Sequence, residues 1–394
     1  MRIVLFSGKG GVGKTTTAAA TAVAAAERGQ SVLSISTDPA HSLADSFGVE
    51  LGDAPEQVHR DLWGVQVDAQ QRLEDNWSTI RNYLTELLDY SGVGNLEADE
   101  LTVVPGIDEL FALMDIKDYA DSGEFDLIIV DCAPTAETIR LLSLPDVLAW
   151  AMERLFPAGR RIARLARPVW NRLPKMPEIA DDEVFGYVED LYARLDGVRE
   201  LLSDADTSSM RLVMNAERMV IAESRRMYTY LSLFGYHVDA VVVNKLIPDA
   251  VVDPYFDAWK VSQGDYLAEI DESFGPLPIL RSRLFDSEVA GVDSLRRFAD
   301  ELYAETDPAA SLTTTQPLRV YSEDDDYVIS ILLPFSAGGE IDVVRRDEQL
   351  YVTVGAYKRV MLLPASLLRR DVTAADVVDG RLEIRFGSAD AASA

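Results

Sequence analysis

The segment Ser7–Thr17, SGKGGVGKTTT, constrains the fold of this chain more than any other segment. It fits the phosphate-binding pattern G-x-x-x-x-G-K-[ST], with Lys14 and Thr15 in the last two positions. The apolar run Arg2–Phe6 predicts a buried strand before it, and the alanine-rich run after it predicts a helix ending at Gly29. Strand, glycine loop and helix in this order predict an α/β protein that binds a nucleotide. The alternative is a glycine-rich turn without a ligand.

The predicted loop supplies two kinds of phosphate contact. Glycines let backbone N–H groups wrap an anion without an obstructing Cβ, and the following helix adds the partial positive charge of its N-terminus. Lys14 is predicted to reach the β- and γ-phosphates and to act in catalysis, and the Thr15 hydroxyl is predicted to bind Mg²⁺. The predicted nucleotide contacts in this segment are Gly8, Lys9, Gly10, Gly11, Val12, Gly13, Lys14, Thr15 and Thr16.

Two further strands are each followed by a carboxylate. Ser31–Ser36 predicts a buried strand that leads to Asp38, at the edge where open α/β sheets bind ligands. Asp38 could orient an attacking water or act through the metal, or it could be a helix N-cap followed by Pro39. Phe125–Thr135 contains a strand that ends in Asp131, the predicted Mg²⁺ partner through water. A turn carboxylate is the alternative for Asp131.

The rest of the first 300 residues alternates strands and helices. Strands are predicted over 211–217, 239–246 and 275–280, which favours a mostly parallel sheet. Asn244 closes one of these strands and could contact a purine edge, although Asn often ends a strand without binding anything. Cys132 is predicted to be a small buried residue that is not reactive.

Composition excludes several classes of function. The formal net charge of −29 argues against non-specific nucleic-acid binding and against broad adhesion to anionic membranes. Cys132 is the single cysteine, which excludes disulfide frameworks, cysteine-based zinc sites and iron–sulfur clusters within one chain. The apolar start is too short for a secretory signal, and the alanine-rich run is too short to span a bilayer, so a cytoplasmic location is expected.

Collinear segments of the chain resemble the ATPase family of the arsenical-pump ATPase and the tail-anchored-protein targeting ATPase. They are GKGGVGKTT, STDPAHSLADSFG, PGIDE, DLIIVDCAPTAETIRLL and VVVNKL, and the resemblance covers about residues 1–305. It implies a P-loop ATPase with a deviant Walker A loop that uses ATP and Mg²⁺. It also implies a homodimeric, nucleotide-switched chaperone or targeting factor for hydrophobic protein clients, including the helices of tail-anchored membrane proteins.

The resemblance assigns residues to these roles. Lys9 would reach across the homodimer to the phosphates of the other subunit, which resembles the action of an arginine finger. Asp38 would position the attacking water and contact Mg²⁺ through water. Asn244, Leu284 and Phe285 would contact adenine, although Arg283 replaces the proline usual in the family.

This sequence also departs from the family in several places. The zinc clasp of the targeting factor and the metalloid cysteines of the pump are absent, and there is one P-loop where the pump subunit has two. Ala136-Glu137 replaces the Gly-His that commonly follows APT in the family. The coupling between γ-phosphate binding and the conformational switch is therefore expected to differ from that of the family.

A helical insert is predicted over about 70–121 and 144–204. In the family such an insert presents an apolar groove to a client helix, and the alternative is an intrasubunit core. Residues 154–175 carry seven arginines and lysines and no acid. This basic segment is predicted to be a lid or a transient docking face for a membrane or an acidic partner, or alternatively a solvated helix.

The pattern changes near residue 306. Residues 306–317 are predicted to be a linker, residues 318–387 an antiparallel β-sandwich that resembles the α-crystallin domain of small heat-shock proteins, and 388–394 a tail. The tail lacks the Ile-x-Ile/Val motif by which those proteins assemble, so an accessory binding or dimer-supporting domain is expected.

Three other classes remain as alternatives. They are a metalloid-pump ATPase subunit, a positioning or partition ATPase of the deviant-loop class, and an electron-transfer reductase. The missing cysteines disfavour the first and the third, and the acidic chain disfavours the second.

Overall fold

The computed structural model describes residues 1–37, 42–66, 107–133, 182–335, 341–364 and 366–388. Asp38 and the whole basic segment 154–175 lie outside these ranges. Most of the predicted helical insert also lies outside them. The helices of the described residues are α1 Lys14–Glu27, α2 Ser42–Phe47, α3 Ile107–Ser122, α4 Asp182–Ser203, α5 Arg218–Phe234, α6 Asp257–Phe274 and α7 Val292–Tyr303.

Eight strands form one large sheet in the order β3-β4-β2-β5-β1-β6-β7-β8. Neighbouring strands are parallel except for the edge pair β3 and β4. The mostly parallel sheet that the sequence predicts is therefore confirmed. The strands are β1 Arg2–Ser7, β2 Val32–Ser36, β3 Glu56–His59, β4 Leu62–Gln66, β5 Leu127–Asp131, β6 Ser208–Asn215, β7 Val238–Leu246 and β8 Ile279–Arg283.

Strand β1 lies at the centre of this sheet, between β5 and β6. Its apolar side chains from Ile3 to Phe6 are buried. A strand buried on both faces requires such a continuous apolar run, and helices must cover both faces of its sheet. The loop that follows β1 therefore starts at the middle of the carboxyl edge of the sheet.

Two features of the sheet differ from the sequence-based expectation. The strand predicted over 275–280 instead runs from Ile279 to Arg283. Gly275 follows the end of α6, and Pro278 has no N–H to donate to a sheet, so regular pairing begins only after it. The hairpin of β3 and β4 was not predicted, because its first strand is short and largely polar.

Helices α1 and α7 pack together against the sheet. The alanines of α1 are almost all buried, which lets its backbone approach its neighbours closely. Helix α7 buries Leu295, Phe298, Ala299, Leu302 and Tyr303, the spacing of one helix face. The Tyr303 hydroxyl lies 2.6 Å from the Thr21 hydroxyl and ties the two helices together.

The C-terminal part contains two antiparallel sheets, in the orders β14-β15-β10-β9 and β11-β12-β13. Buried residues alternate along β15 and β12, as expected for strands with one core-facing side. The predicted small all-β domain is therefore confirmed. Its strands are β9 Leu318–Glu323, β10 Asp326–Leu332, β11 Ile341–Arg346, β12 Gln349–Val354, β13 Tyr357–Leu362, β14 Arg370–Val378 and β15 Arg381–Ser388.

The segment predicted to be a linker is held against the large sheet by arginines. The buried Arg211 donates to the carbonyls of Pro308 (2.8 Å) and Ala310 (3.0 Å). Arg2 donates to the Ala309 carbonyl at 3.0 Å, and Arg28 donates to that of Thr306 at 2.8 Å. The segment is thus an ordered strap against the large sheet. The exact domain boundaries stay a prediction.

Helix α5 also joins the two domains. It ends at Phe234 with Gly235 as its C-cap, and the Nη1 of Arg359 on β13 donates to the Leu233 carbonyl at 2.5 Å. The Arg359 guanidinium lies 5.7 Å from the ring centroid of Phe234, and the Tyr230 and Tyr357 rings meet edge to face at 5.3 Å. Arg359 thus satisfies a carbonyl that the helix end leaves without an intrahelical partner.

We predict that Arg359→Met weakens the attachment of the β-sandwich to α5. A charge-assisted hydrogen bond contributes about 1.5–3 kcal/mol, and its loss should lower the free energy of unfolding by that amount. Urea denaturation measures the effect, and limited proteolysis should show faster cleavage between the domains. Arg346→Met is the control, because Arg346 is exposed on β11. Equal stability of the two variants would argue against the contact.

Candidate nucleotide-binding site

Two glycines of the loop are required by the close approach of neighbouring residues. A Cβ on Gly8 would lie 2.1 Å from the Val213 carbonyl oxygen on β6. Gly13 has φ of 96°, and a Cβ there would lie 2.3 Å from Asn244 Nδ2. By contrast, no atom of the described residues lies within 4 Å of a Cβ built on Gly10. The loop is therefore packed on the ends of β6 and β7 through Gly8 and Gly13.

The end of β7 holds the loop in place. Asn244 Nδ2 donates to the Val12 carbonyl at 2.9 Å, and Lys245 Nζ donates to the Gly11 carbonyl at 2.7 Å. Lys245 has φ of 58°, a left-handed conformation that is uncommon outside glycine. Its backbone N–H donates to Asn244 Oδ1 at 2.8 Å, which links the two anchors. The Asn244 amide thus shapes the loop, and its predicted adenine contact stays a prediction.

Lys14 and Thr15 begin α1 directly after the loop. The N-cap residue of this helix is Gly13, which has no side chain that could accept from the helix N–H groups in place of an anion. Lys14 is 6% exposed. The Thr15 hydroxyl lies 3.1 Å from the Ser42 hydroxyl at the start of α2. A buried ammonium and paired hydroxyls beside a helix N-terminus fit a phosphate group and its Mg²⁺.

Asp131 ends β5 next to the loop. It pairs in register with Phe6 on one side and with Ser36 on the other, and it is fully buried. Its carbonyl accepts from the Thr37 N–H at 3.0 Å, which holds the residue that follows β2 beside it. Asp131 therefore lies at the carboxyl edge of the sheet, where the sequence predicts it. Its binding of Mg²⁺ stays a prediction.

Cys132 follows Asp131 and is buried. Burial, together with the neighbouring Asp131 carboxylate, raises the pKa of the Cys132 thiol well above its usual range. A thiol kept protonated is a poor nucleophile and a poor metal ligand. This agrees with the prediction of a small buried residue.

A cavity of about 570 Å³ opens beside the loop and extends to β8. Leu284 and Phe285 line this cavity too, and their contact with adenine stays a prediction. The Phe285 ring stacks on Phe298 of α7 with centroids 5.6 Å apart. Arg283 is turned toward Glu301, which it meets at 2.9 Å. The cavity thus has a polar end for phosphates and an apolar end suited to a base.

The Lys9 side chain does not line this first cavity. It lines a second cavity of about 640 Å³, and its Nζ lies 4.0 Å from Glu223 Oε2 on α5. It is not among the residues that line the 570 Å³ cavity within the described ranges. The structure thus directs Lys9 away from the first cavity. The predicted site residues that do line that cavity are Gly10, Gly11, Gly13, Lys14, Thr15, Thr16, Asn244, Leu284 and Phe285.

Sequence reasoning missed several residues of this site, and three of them show why. Ser42, Lys245 and Phe298 line the first cavity, and they come from three different elements. The serine of STDPAHS and the lysine of VVVNKL stand inside segments already singled out, so both could have been found. Phe298 is an ordinary core position of an amphipathic helix, and only the packing of α7 brings it to the cavity.

A mostly parallel sheet with a glycine loop between its central strand and a buried helix defines a P-loop nucleotide-binding domain. The sequence profile described as "Anion-transporting ATPase" matches residues 1–304. The chain belongs to this family of ATPases. A second profile, described as "HSP20-like domain found in ArsA", matches residues 324–386, which confirms the predicted resemblance of the sandwich to small heat-shock domains.

Similar proteins span most of the chain. A "Putative arsenical pump-driving ATPase" of Chlorobaculum tepidum is 40% identical over 388 residues, 98% of this chain and 96% of the relative. One of the same description from Aquifex aeolicus, "Putative arsenical pump-driving ATPase 1", is 37% identical over 93% of this chain and 95% of the relative. "ATPase get3" of Aspergillus niger is 30% identical over 77% of this chain and 90% of the relative.

Membrane-spanning helices and metal clusters are both absent from the part of the chain that the structure describes. Among the described residues, no helix is both long and apolar enough to cross a membrane. The same residues contain no group of three or more His, Cys, Asp and Glu side chains placed to hold a metal ion.

We predict that Gly8→Ala disrupts the loop and that Gly10→Ala does not. The new methyl at position 8 would meet backbone that cannot move aside without shifting β6, which costs about 1–3 kcal/mol. Nucleotide affinity should fall at least about tenfold for Gly8→Ala and change little for Gly10→Ala, measured by titration with a fluorescent ATP analogue. Equal affinities would show that the loop tolerates the displacement.

Proposed function

We propose that the chain is an Mg²⁺-dependent ATPase that hydrolyses the β–γ phosphoanhydride of ATP. The observation that supports this most directly is the buried Lys14 at the uncapped start of α1, beside a cavity with an apolar far end. Lys14 and the loop N–H groups would hold the phosphates, and Thr15 and Asp131 would hold the metal. Asp38 would orient the attacking water. Membership of an ATPase family supports the same chemistry.

The proposed working unit is a homodimer in which Lys9 acts on the nucleotide of the partner. Its support is that Lys9 lies in the cavity adjoining its own nucleotide site. A cation supplied from the partner would stabilise the charge that builds on the transferred phosphoryl group and couple hydrolysis to dimer closure.

The proposed task is chaperoning or targeting of hydrophobic protein clients in the cytoplasm, including membrane-protein helices. The similarity to "ATPase get3" and the HSP20-like domain support this role. In this proposal the helical insert would bind the client, and the basic segment 154–175 would contact a membrane or an acidic partner.

The second candidate function is that of an arsenical-pump subunit, because two of the similar proteins bear that name. Arsenic(III) binds thiolates, and the chain has one cysteine, whose thiol is buried and whose pKa is raised. We therefore place this function second. Stimulation of hydrolysis by arsenite would favour it, and stimulation by an apolar helical peptide would favour the chaperone.

Wild type, Lys9→Ala and Asp38→Asn test the mechanism, with light scattering in ADP and in a transition-state mimic. We expect wild type to hydrolyse ATP and to close as a dimer. Lys9→Ala should bind nucleotide but lose turnover, and Asp38→Asn should bind nucleotide and dimerise without turnover. Normal turnover by a monomeric Lys9→Ala protein would refute the proposed dimeric mechanism.

A further inference from the structure

Strand β9 is an open edge of the sandwich. It pairs with β10 on one side, and in the part of the chain that the structure describes no strand pairs with it on the other. Its residues from Arg319 to Glu323 are all exposed. An unpaired strand edge offers a row of backbone N–H and C=O groups, to which another extended chain can add as a new strand.

The register of β9 and β10 shows which backbone groups face the open side. The Leu332 N–H donates to the Pro317 carbonyl at 2.7 Å, so these two residues form a hydrogen-bonded pair. Bonded and non-bonded pairs alternate along an antiparallel ladder. The residues of β9 whose N–H and C=O groups point away from β10 are therefore Leu318, Val320 and Ser322.

An apolar position on this edge is left uncovered. Val320 lies opposite Ile329 of β10, and residues directly opposite each other share one face of a sheet. Ile329 is buried in the core, whereas Val320 is 56% exposed. The core of the sandwich thus stops short of β9. A side chain of an added strand would cover Val320.

A cavity of about 550 Å³ lies against β9 and contains two arginines and one acid. The acid is Glu383, and it is already engaged. It accepts from the Tyr321 hydroxyl at 3.2 Å and pairs with Arg385 at 3.4 Å. The unbalanced charge of the cavity therefore comes from the two arginines, Arg319 and Arg381.

No carboxylate of the described residues neutralises this arginine pair. Arg381 donates to neutral acceptors, the Ser330 hydroxyl at 2.7 Å and the Gln316 carbonyl at 3.2 Å. The Arg319 guanidinium forms neither a hydrogen bond nor an ion pair with any described residue. Burial and the nearby charge of Arg319 lower the pKa of Arg381. In a chain with a net charge of −29, such a pair is a local site for a carboxylate.

We propose that β9 and the arginine pair bind an extended, acidic segment of a partner protein as an added strand. The backbone of the segment would pair with the outward groups of Leu318, Val320 and Ser322. One aspartate or glutamate of the segment would accept from Arg319 and Arg381. This site goes beyond the proposed function, because it needs neither a nucleotide nor a homodimer.

The two parts of the site together favour a peptide over other occupants. A phosphate or a lipid headgroup would satisfy the arginines but would leave the outward N–H and C=O groups of β9 without partners. The β9 strand of a second copy would bring another pair of arginines to the edge in place of a carboxylate, and like charges on adjacent strands are destabilising. An extended segment with an acidic side chain satisfies both the backbone and the charge.

The backbone part of the site is tested with Ser322→Pro in the full chain. The proline removes one outward N–H and none of the bonds to β10, and an edge strand tolerates it. The probe is a fluorescently labelled peptide, Ser-Val-Thr-Val-Glu-Val-Ser, followed by anisotropy. Binding should weaken at least about fivefold, the value of one net hydrogen bond of about 1 kcal/mol. The control Ser322→Thr keeps the N–H and should match wild type.

The charge part is tested with Arg319→Gln and with a peptide that has glutamine in place of its glutamate. Each change alone should weaken binding at least about fivefold, and the two together should cost little more than either one, because both remove the same contact. The control is Arg346→Gln, since Arg346 is an exposed arginine of the other sheet. This cycle also tests the site if Ser322→Pro fails to fold.

Several outcomes would overturn the proposal. Wild type that binds neither peptide has no such site. If Arg319→Gln weakens binding and a folded Ser322→Pro does not, the arginines bind an anion without an added strand. If Ser322→Pro shifts the oligomeric state in sedimentation velocity and leaves peptide binding unchanged, a second copy occupies β9. ATP hydrolysis should be the same in all variants, so failure of the proposed ATPase would be seen separately.

Discussion

Replacing Lys14 by methionine should abolish ATP hydrolysis without destabilising the protein. Removing one group that stabilises transition-state charge lowers kcat by about 10²–10³-fold, and Lys14 should also contribute to ground-state phosphate binding. Lys14 as a whole is only 6% exposed, and a buried charge is costly unless an anion compensates it. Methionine has a similar length and no charge, so the nucleotide-free variant should be at least as stable as wild type.

Stability and activity together distinguish a binding lysine from a structural one. Thermal unfolding without nucleotide and steady-state phosphate release are the two measurements. Lys117→Met is the control, because Lys117 forms an i,i+4 ion pair with Asp121 on α3, at 2.7 Å. It should leave hydrolysis unchanged. A clear loss of stability in Lys14→Met would show that the ammonium has a structural partner in the folded protein.

Replacing Asp239 by alanine should produce the largest loss of stability. Arg211 and Asp239 are both fully buried and meet at 3.3 Å, and Arg2 lies 3.6 Å from the same carboxylate. Breaking a buried ion pair by removing one partner costs about 3–5 kcal/mol, because the remaining charge is left without compensation. Here two guanidinium groups would lose their shared anion. Burial and the nearby Arg211 already lower the pKa of Arg2.

The loss should extend to the strap that leads to the sandwich. Asp239 accepts from the Leu312 N–H at 3.3 Å, and Arg211 holds the carbonyls of Pro308 and Ala310. Proteolysis between residues 306 and 317 should therefore accelerate in Asp239→Ala. Asp118→Ala is the matched control, because Asp118 pairs with Arg194 at 2.6 Å but both side chains are about half exposed. Such an exposed pair contributes only about 0–1 kcal/mol. A similar urea midpoint for both variants would contradict the prediction.

The two predictions differ in how far the sequence alone supports them. Lys14 belongs to a local motif in which strand, glycine loop and helix follow one another, so its position needed no tertiary information. Asp239 stands at the start of a predicted strand and gives no local sign that it meets Arg211, which lies 28 positions earlier in the chain. Charged residues usually remain at the surface, so only the packing of β6 beside β7 shows that this pair is buried.

The sequence determined the class of fold, the nucleotide loop and the change to an all-β domain, because each depends on a pattern of near neighbours. Apolar runs form buried strands, glycines permit close backbone approach, and alternation indicates a sheet with one buried face. The tertiary structure decided which cavity Lys9 lines and how Asn244 and Lys245 hold the loop. It also decided that arginines bind the carbonyls of the strap between the domains. Those features depend on contacts between residues far apart in the chain, whose energies arise only when the sheet brings them together.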